Sequence, residues 1–539
     1  MALAKRLGGR PPREVAQAVA AHLDTGAAGV EPPEVAGPGF LNLRLTPEWL
    51  SARLTHLLGD PRLGVAPLEQ SERVVVDYSA PNVAKEMHVG HLRATIIGDA
   101  LVRVFDFLGH DVVRQNHIGD WGTPFGMLIE HLLDVGEQDG ASKLSVGDLT
   151  TFYQQARQKF DADPAFAGRA RQRVVLLQSG DEETLRLWHL LVDESKRYFN
   201  LVYRRLDVLL TDEDLAGESF YNPLLGPTCD ELEERAIAVP SEGALCVFPP
   251  GFVGRDGGPM PLMVKKSDGG FGYDATDLAA VRYRTRDLDA TFLVYVVGAP
   301  QAQHLALAFA GATLAGWLGG TTGRRAVHVA FGSVLGADGS MLKTRAGDTA
   351  RLIDLLDEAV RRAAAIVAER SELSPEEQAA VAEAVGIGGV KYADLSNDRM
   401  RDYTFDYDRM LATDGNTAAY LQYAGARCRS ILRRAAEEDG AGPLGAPVAV
   451  TEPSERALGL ALLRLDGAVQ ATATDLAPHK LCGHLFDLAQ AFTSFYDACP
   501  VLKAPDGATR ASRLALCLLT AEALALGLGL LGIRAPDRM

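Results

Sequence analysis

"VVVDYSAPNVAKEMHVGHLRATIIGDAL", residues Val74–Leu101, decides the reading of this 539-residue chain. It opens as a short apolar strand, passes through a polar turn holding His88, Gly90 and His91, and continues as an apolar-periodic run to Gly109. The next segment, "HDVVRQNHIG", again reads as a strand. Strand, helix, strand in this order is the right-handed crossover unit of an α/β fold. In an open parallel sheet, ligands bind beyond the carboxyl ends of the strands, which is where the HVGH turn falls. Gly90 would let backbone approach a phosphate, and the helix starting near His91 would point its positive end at an anion. Histidines three apart lie on one helix face and could donate to a phosphate gaining charge in a transition state. The blander reading is two ordinary helix-start histidines. By chance, HxGH is expected about 0.03 times in this composition.

Outward from this unit, residues 1–70 form a small α+β unit. "PREVAQAVAAHL" and "EWLSARLTHLL" read as helices, and "VAGPGFLNLRL" as a turn and an alternating strand. Residues 71–350 carry the α/β pattern, interrupted by two insertions. The first, about 123–192 and running on towards 220, is made of long amphipathic helices. The second, about 221–270, is rich in Pro and Gly with short strands. Two further strand–helix pairs are expected in "GGFGYDATDLAAVRYR" and "TFLVYVVGAPQAQHLALAFAGATLAGW", then a strand, a Gly-rich loop and a helix from Val327. Beyond 350 the pattern is helical: a connection over 351–400 and a domain over 401–539.

The net charge is -16 with 47% hydrophobic residues, an ordinary globular composition that argues against a generic polyanion binder. Contact with nucleic acid must therefore be local. Six cysteines lie far apart with no CxxC pair, so neither a zinc knuckle nor a disulfide framework is indicated, and a reduced, cytoplasmic setting fits. HExxH is absent, and no metal ligand set is expected. The first residues lack the apolar core of a secretion signal. Leu514–Ile533 is long enough to span a bilayer, but Glu522 sits in its middle, so the expectation is a buried C-terminal helix and no membrane association. "GLGLLG", Gly527–Gly532, matches GxGxxG but follows a helical run, not a strand, and is read as fortuitous.

The stretch around HVGH resembles the HIGH signature of the class I aminoacyl-tRNA synthetases, and "DYSAPNVAKEMHVGHLRATIIGDA" the arginyl-tRNA synthetase form of it. The resemblance continues through "NHIGDWGTPFGMLI", "LQSGDEE", "GESFYNPLL", "TDLAAVRYR", "VGIGGVKYADLSNDR", "DYTFDYDRMLATDGNTAAYLQYA" and the ending "LGIRAPDRM". It implies a Rossmann-type parallel sheet with insertions, an all-α anticodon-binding domain behind it, and a shortened N-terminal unit in front that would meet the tRNA elbow. It implies ATP with Mg2+ as a substrate complex, no tightly bound cofactor, L-arginine and tRNA-Arg as partners, and a monomer. In the implied reaction arginine attacks the α-phosphate, pyrophosphate leaves, and the arginyl group passes from the adenylate to tRNA, releasing AMP.

The resemblance carries residue roles too. His88, Gly90 and His91 would hold ATP, and His304 would be a further adenosine-side residue. The triphosphate loop matches "SMLKTRAG", where Arg345 stands in place of the signature's second lysine, beside Lys343; Lys85, just before HVGH, would compensate. A planar cation with five donors calls for acids and carbonyl oxygens. The family's arginine-binding positions fall on Asp77, Asn82, Tyr273, Asp277 and Gln301, with Asp77 and Asp277 carrying the charge. From the residues alone, Asp277 could equally be a helix N-cap and Asn82 a turn residue. Tyr420 and Tyr423 could stack bases of tRNA or could be core. A paralogue serving a specialised pathway, or an idle RNA-binding regulator, is the alternative to a translation enzyme.

Overall fold

The computed structural model describes residues 2–136, 149–254, 257–342, 350–370, 373–439 and 446–539. Lys343 and Arg345 lie outside them.

The N-terminal unit pairs strands Glu34–Ala36 (β1) and Phe40–Asn42 (β2) as a hairpin beside the helix Pro12–His22. The central sheet has four parallel strands: Arg73–Asp77 (β3), Asp111–Gln115 (β4), Phe292–Tyr295 (β8) and Arg325–His328 (β9), in the order β4-β3-β8-β9. β3 and β8, the inner strands, read VVV and FLVY because both faces are covered by helices. The helix Val89–Leu108 crosses from β3 to β4 and ends at Gly109, whose φ of 99° is left-handed. The sequence-derived boundaries of this unit agree with the structure to within a few residues.

The described part of the first insertion is mostly helical; its longest helix, Glu182–Leu206, packs against the turn after β3. The second insertion holds the expected short strands and, in addition, a helix that was not expected. It opens with the helix Asn222–Glu234, and only then come the antiparallel strands Ala238–Ser241 (β5), Ala244–Val247 (β6) and Leu262–Lys265 (β7). The strand expected at "GGFG", directly before the helix Tyr273–Arg286, is a loop instead. Strand Val334–Leu335 (β10) pairs in parallel with Tyr403–Thr404 (β11), so chain beyond residue 400 returns to the segment that follows β9. That pairing is long-range and two residues deep, too short for a periodic signal.

The helix Pro375–Leu395, in the connection, ties the sheet domain to the helical domain through buried polar groups. Arg93, two residues after His91, meets Asp394 at 3.1 Å with both side chains 1% exposed. Lys391 donates to the carbonyls of Leu206 and Gly532 at 2.6 and 2.5 Å. The helix Gly507–Leu530 is long and apolar enough to cross a membrane, yet 72% of its apolar window is buried against other helices. "GLGLLG" lies on the last turn of that helix, as its helical context implied.

Candidate active site

The turn between β3 and the HVGH helix is held in an unusual backbone shape. Ser79, Ala80 and Ala84 all have positive φ, at 74°, 47° and 57°. Such conformations cost energy in non-glycine residues and persist where surroundings impose them. Here the surroundings are specific. Ser79 bonds the Tyr203 hydroxyl at 2.7 Å, Asn116 accepts from Ala80 N–H at 3.0 Å, and Ser195 accepts from Ala84 N–H at 2.9 Å. Tyr203 and Ser195 belong to Glu182–Leu206, so the inserted helix moulds the turn.

His88 is the N-cap of its helix. Its Nδ1 accepts from Gly90 N–H at 3.0 Å, while His91 Nδ1 accepts from His88 N–H at 3.1 Å. A neutral ring that accepts on Nδ1 carries its proton on Nε2. Both rings are neutral at pH 7: burial, His88 and Lys85 push His91 down to about 3, and burial with the Lys85 charge lowers His88. The two rings, 4.0 Å apart, therefore present Nε2–H donors. Gly90 has a role the sequence did not show: a Cβ there would come within 2.7 Å of His88 Cε1, so the glycine makes room for the ring. Lys85 reaches over the Tyr153 ring, 4.3 Å from its centre.

The lysine loop is seen through its flanks. It is entered from β10, where Leu342 N–H donates to Val334, and left at Ala350, whose carbonyl accepts from Val89 N–H at 3.3 Å. Leu352 N–H donates to Met87 O at 2.8 Å. The exit of the loop is thus bonded to both sides of His88.

The other half of the cleft is acidic. Asp277 lies inside the helix Tyr273–Arg286, whose N-cap is Gly272, so the capping alternative is excluded. Its Oδ2 meets His304 Nε2 at 2.5 Å, and His304 Nδ1 is 3.5 Å from Asp274. The bond to Asp277 raises the His304 pKa. His304 therefore stands among the acids of this helix, where the resemblance had implied an adenosine-side residue. Tyr273 is 72% exposed at the mouth, and Gln301 ends the short turn after β8. Asn82 bridges to Gly119, where a Cβ would sit 2.4 Å from the Asn82 side-chain oxygen.

Asp77 is a correction. Its carboxylate is buried against Arg284, fully buried itself, at 2.8 Å; Arg284 also donates to Gln115. Its charge is balanced inside the protein, so it is not one of two free acids facing a guanidinium. The residue that sequence reasoning missed is Glu218. Burial first, then Asp120 and Asp277, raise its pKa to about 7, and its own charge is the leading cause that raises the Tyr273 hydroxyl. Glu218 thus lies within electrostatic reach of Asp277 and Tyr273. The only signal was its place in "GESFYNPLL".

In the helical domain, the two tyrosines part company. Tyr420 is half-buried, its hydroxyl bonded to Thr493 at 3.0 Å and its ring against Phe486. Tyr423 is 44% exposed, and Arg427 lies over both Tyr423 and Tyr496, 4.7 and 5.2 Å from the ring centres. Arg427 and Tyr496 were not singled out from sequence.

A parallel sheet whose first strand runs into a histidine–glycine–histidine helix start, with a helical domain behind it, defines a class I aminoacyl-tRNA synthetase. Residues 53–407 match the family model for the class I (R) tRNA synthetase catalytic domain, 421–539 that for the DALR anticodon-binding domain, and 1–45 that for the arginyl-tRNA synthetase N-terminal domain. The arginine–tRNA ligases of Thermobifida fusca and Frankia casuarinae are 56% and 54% identical, each match covering 100% of this chain and 92% of the relative. Among solved structures, the arginyl-tRNA synthetase of Plasmodium falciparum superimposes with a TM-score of 0.83 at 30% identity, covering 99% of this chain and 90% of that one. That of Thermus thermophilus gives 0.82 at 28%, covering 100% and 93%. The chain belongs to the arginyl-tRNA synthetase family, and it is a ligase that joins arginine to tRNA at the expense of ATP.

Proposed function

We propose the following division of labour for that reaction. His88 and His91 donate from Nε2 to the ATP phosphates, with Lys85 supplying the cation before HVGH and the loop bearing Lys343 and Arg345 closing on the triphosphate. ATP enters with Mg2+ as its counter-ion. Neutral donors suit this place, because they stabilise charge developing on the α-phosphate without reorganising. Glu218 and Asp277 face the guanidinium, with Tyr273, Asn82 and Gln301 orienting arginine so that its carboxylate reaches the α-phosphate. Holding both reactants at adjacent strand ends contributes the entropic part of catalysis. The arginyl-adenylate then passes its acyl group to tRNA held against the helical domain, where Tyr423, Arg427 and Tyr496 form the base-stacking surface. The chain is further read as a cytoplasmic monomer with segments 1–70, 71–350, 351–400 and 401–539.

The observation that carries this reading is the pairing of neutral Nε2–H donors at the end of β3 with an acidic pocket built around the end of β8. It also argues against an idle paralogue, which has no need of either. The test is attachment of labelled arginine to total tRNA, with lysine and citrulline as competitors. Citrulline keeps the shape and loses the charge, so an acidic pocket should discriminate against it strongly. Equal inhibition by arginine and citrulline would overturn the assignment of Glu218 and Asp277.

A further inference from the structure

The loops that meet at Glu218 are joined by a reciprocal set of bonds. Ala216 N–H donates to Asn116 O and Glu218 N–H to Ile118 O, both at 3.1 Å. The Asp120 carboxylate accepts from Ser219 with both oxygens: 2.8 Å from the backbone N–H and 2.6 Å from the hydroxyl. The Trp121 backbone N–H lies near enough to the Glu218 carboxylate to favour its ionised form, against burial. Gly217 lets the loops close this far, since a Cβ there would lie 2.7 Å from the Asp120 carboxylate. The inserted helix fixes the other side, where Trp188 Nε1–H donates to Asp120 O at 2.7 Å. Asp120 is buried, and nothing in the reaction as assigned above uses it.

We propose that Asp120 is a positioning residue for arginine recognition: its two oxygens fix Ser219 and so aim Glu218 into the pocket, while its charge beside Glu218 makes arginine uptake expel a proton. This rests on the assignment of Glu218 to the guanidinium. A buried carboxyl next to a second carboxylate resists ionisation. Before arginine enters, Glu218 is protonated in a substantial fraction of molecules near pH 7, since its pKa stands at about 7. The guanidinium favours the carboxylate, so binding releases the Glu218 proton to solvent. Below that pH, arginine must bring about an ionisation it does not have to cause above it. Other groups face this pair. Asp120 is faced by His117, and Glu218 by Tyr273 and Asp277; behind Asp277 stand Asp274 and His304.

The experiment is the KM for arginine in aminoacylation by the full chain, from pH 5.5 to 8.5, for wild type and three variants. Wild type should show a KM that rises on the acid side, approaching about tenfold per pH unit, the slope of one proton. Asp120→Asn keeps a bond to each Ser219 group but removes the charge. The bend should move to lower pH by at least about half a unit, and the alkaline KM should rise about three- to tenfold. Ser219→Ala keeps the charge and the backbone bond, so KM should rise a few-fold with the bend unmoved. Glu218→Gln should raise KM and remove the limb, leaving only what His304 contributes. A bend at the wild-type pH in a folded Asp120→Asn protein overturns the proposal for Asp120. An unchanged arginine KM in Glu218→Gln overturns instead the assignment of Glu218. Melting curves show whether each variant is folded.

Discussion

On the assignment proposed above, His88, His91 and Lys85 meet a polyanion at one end of the site, and Glu218 and Asp277 meet a cation at the other. The first end is built from one short run of chain, the second from segments around residues 82, 218, 273–277 and 301–304. Their electrostatics differ as well. Burial beside a lysine keeps both histidines neutral, so that run of chain offers dipoles beside the Lys85 cation. At the acidic end, burial and then the charges of Asp120 and Asp277 push the Glu218 pKa up to about 7, and His304 is bonded to Asp277. Donors aimed at a transition state have to be in place before it forms. A ligand-binding acid can complete its ionisation as the ligand arrives. The comparison therefore predicts that losses at the phosphate end fall on turnover and losses at the acidic end on KM.

The largest effect should come from His91→Ala. Losing one preorganised donor costs about two to three orders of magnitude in turnover. It also leaves His88 N–H without its bond to the His91 ring, a capping loss of about 1 kcal/mol that a melting curve will register separately. Pyrophosphate exchange in the presence of tRNA-Arg is the measurement. Near-normal exchange by a folded protein would remove the distinction between the two ends.

Next in size is Asp277→Asn. One side of a charged, desolvated pair is worth on the order of 2–5 kcal/mol, so the arginine KM should rise at least about 30-fold by the rule of 1.4 kcal/mol per decade. The KM for ATP should stay within a few-fold. Because Gly272 caps this helix, no capping loss confuses the result. A rise in the ATP KM matching that for arginine would mean that the two ends are not separable.

How much of this was legible in the sequence follows the same division. β3, the HVGH helix, Gly109 and β4 are contiguous and periodic, and their sequence-derived limits sit close to the observed ones. The acidic pocket is contiguous nowhere. Asp77 carries the same charge as Asp277, and only packing shows that Arg284 has already neutralised it. Glu218 stands in a loop without periodicity, and its relevance comes from the bonds that zip residues 116–121 to 214–219. The β10–β11 pair was hidden for a related reason: two residues joined across about 70 positions leave no local pattern. His304 was expected from the resemblance alone; its bond to Asp277 depends on the facing helix Tyr273–Arg286, which no local pattern around residue 304 shows.

A third contrast, between Tyr423 and Tyr420, tests the helical domain, and its expected effects are the smallest. Tyr423→Ala removes an exposed ring from the surface shared with Arg427 and Tyr496. Base–aromatic stacking is worth about 1–3 kcal/mol per base, so the KM for tRNA-Arg should rise on the order of tenfold, with arginine and ATP unaffected. Tyr420 is only three residues away, on the same helix, and the sequence could not separate the two. Its hydroxyl is spent on Thr493 and its ring on Phe486, both from the neighbouring helix His479–Ala498. Tyr420→Phe deletes that hydrogen bond and leaves the ring packed. The expected cost is about 0.5–1.5 kcal/mol of stability, read from urea unfolding, with the tRNA KM within about twofold of wild type. If Tyr420→Phe weakened tRNA binding as much as Tyr423→Ala, the hydroxyl would have to leave Thr493 for the nucleic acid. The line drawn here between a packing tyrosine and a stacking one would then be in the wrong place.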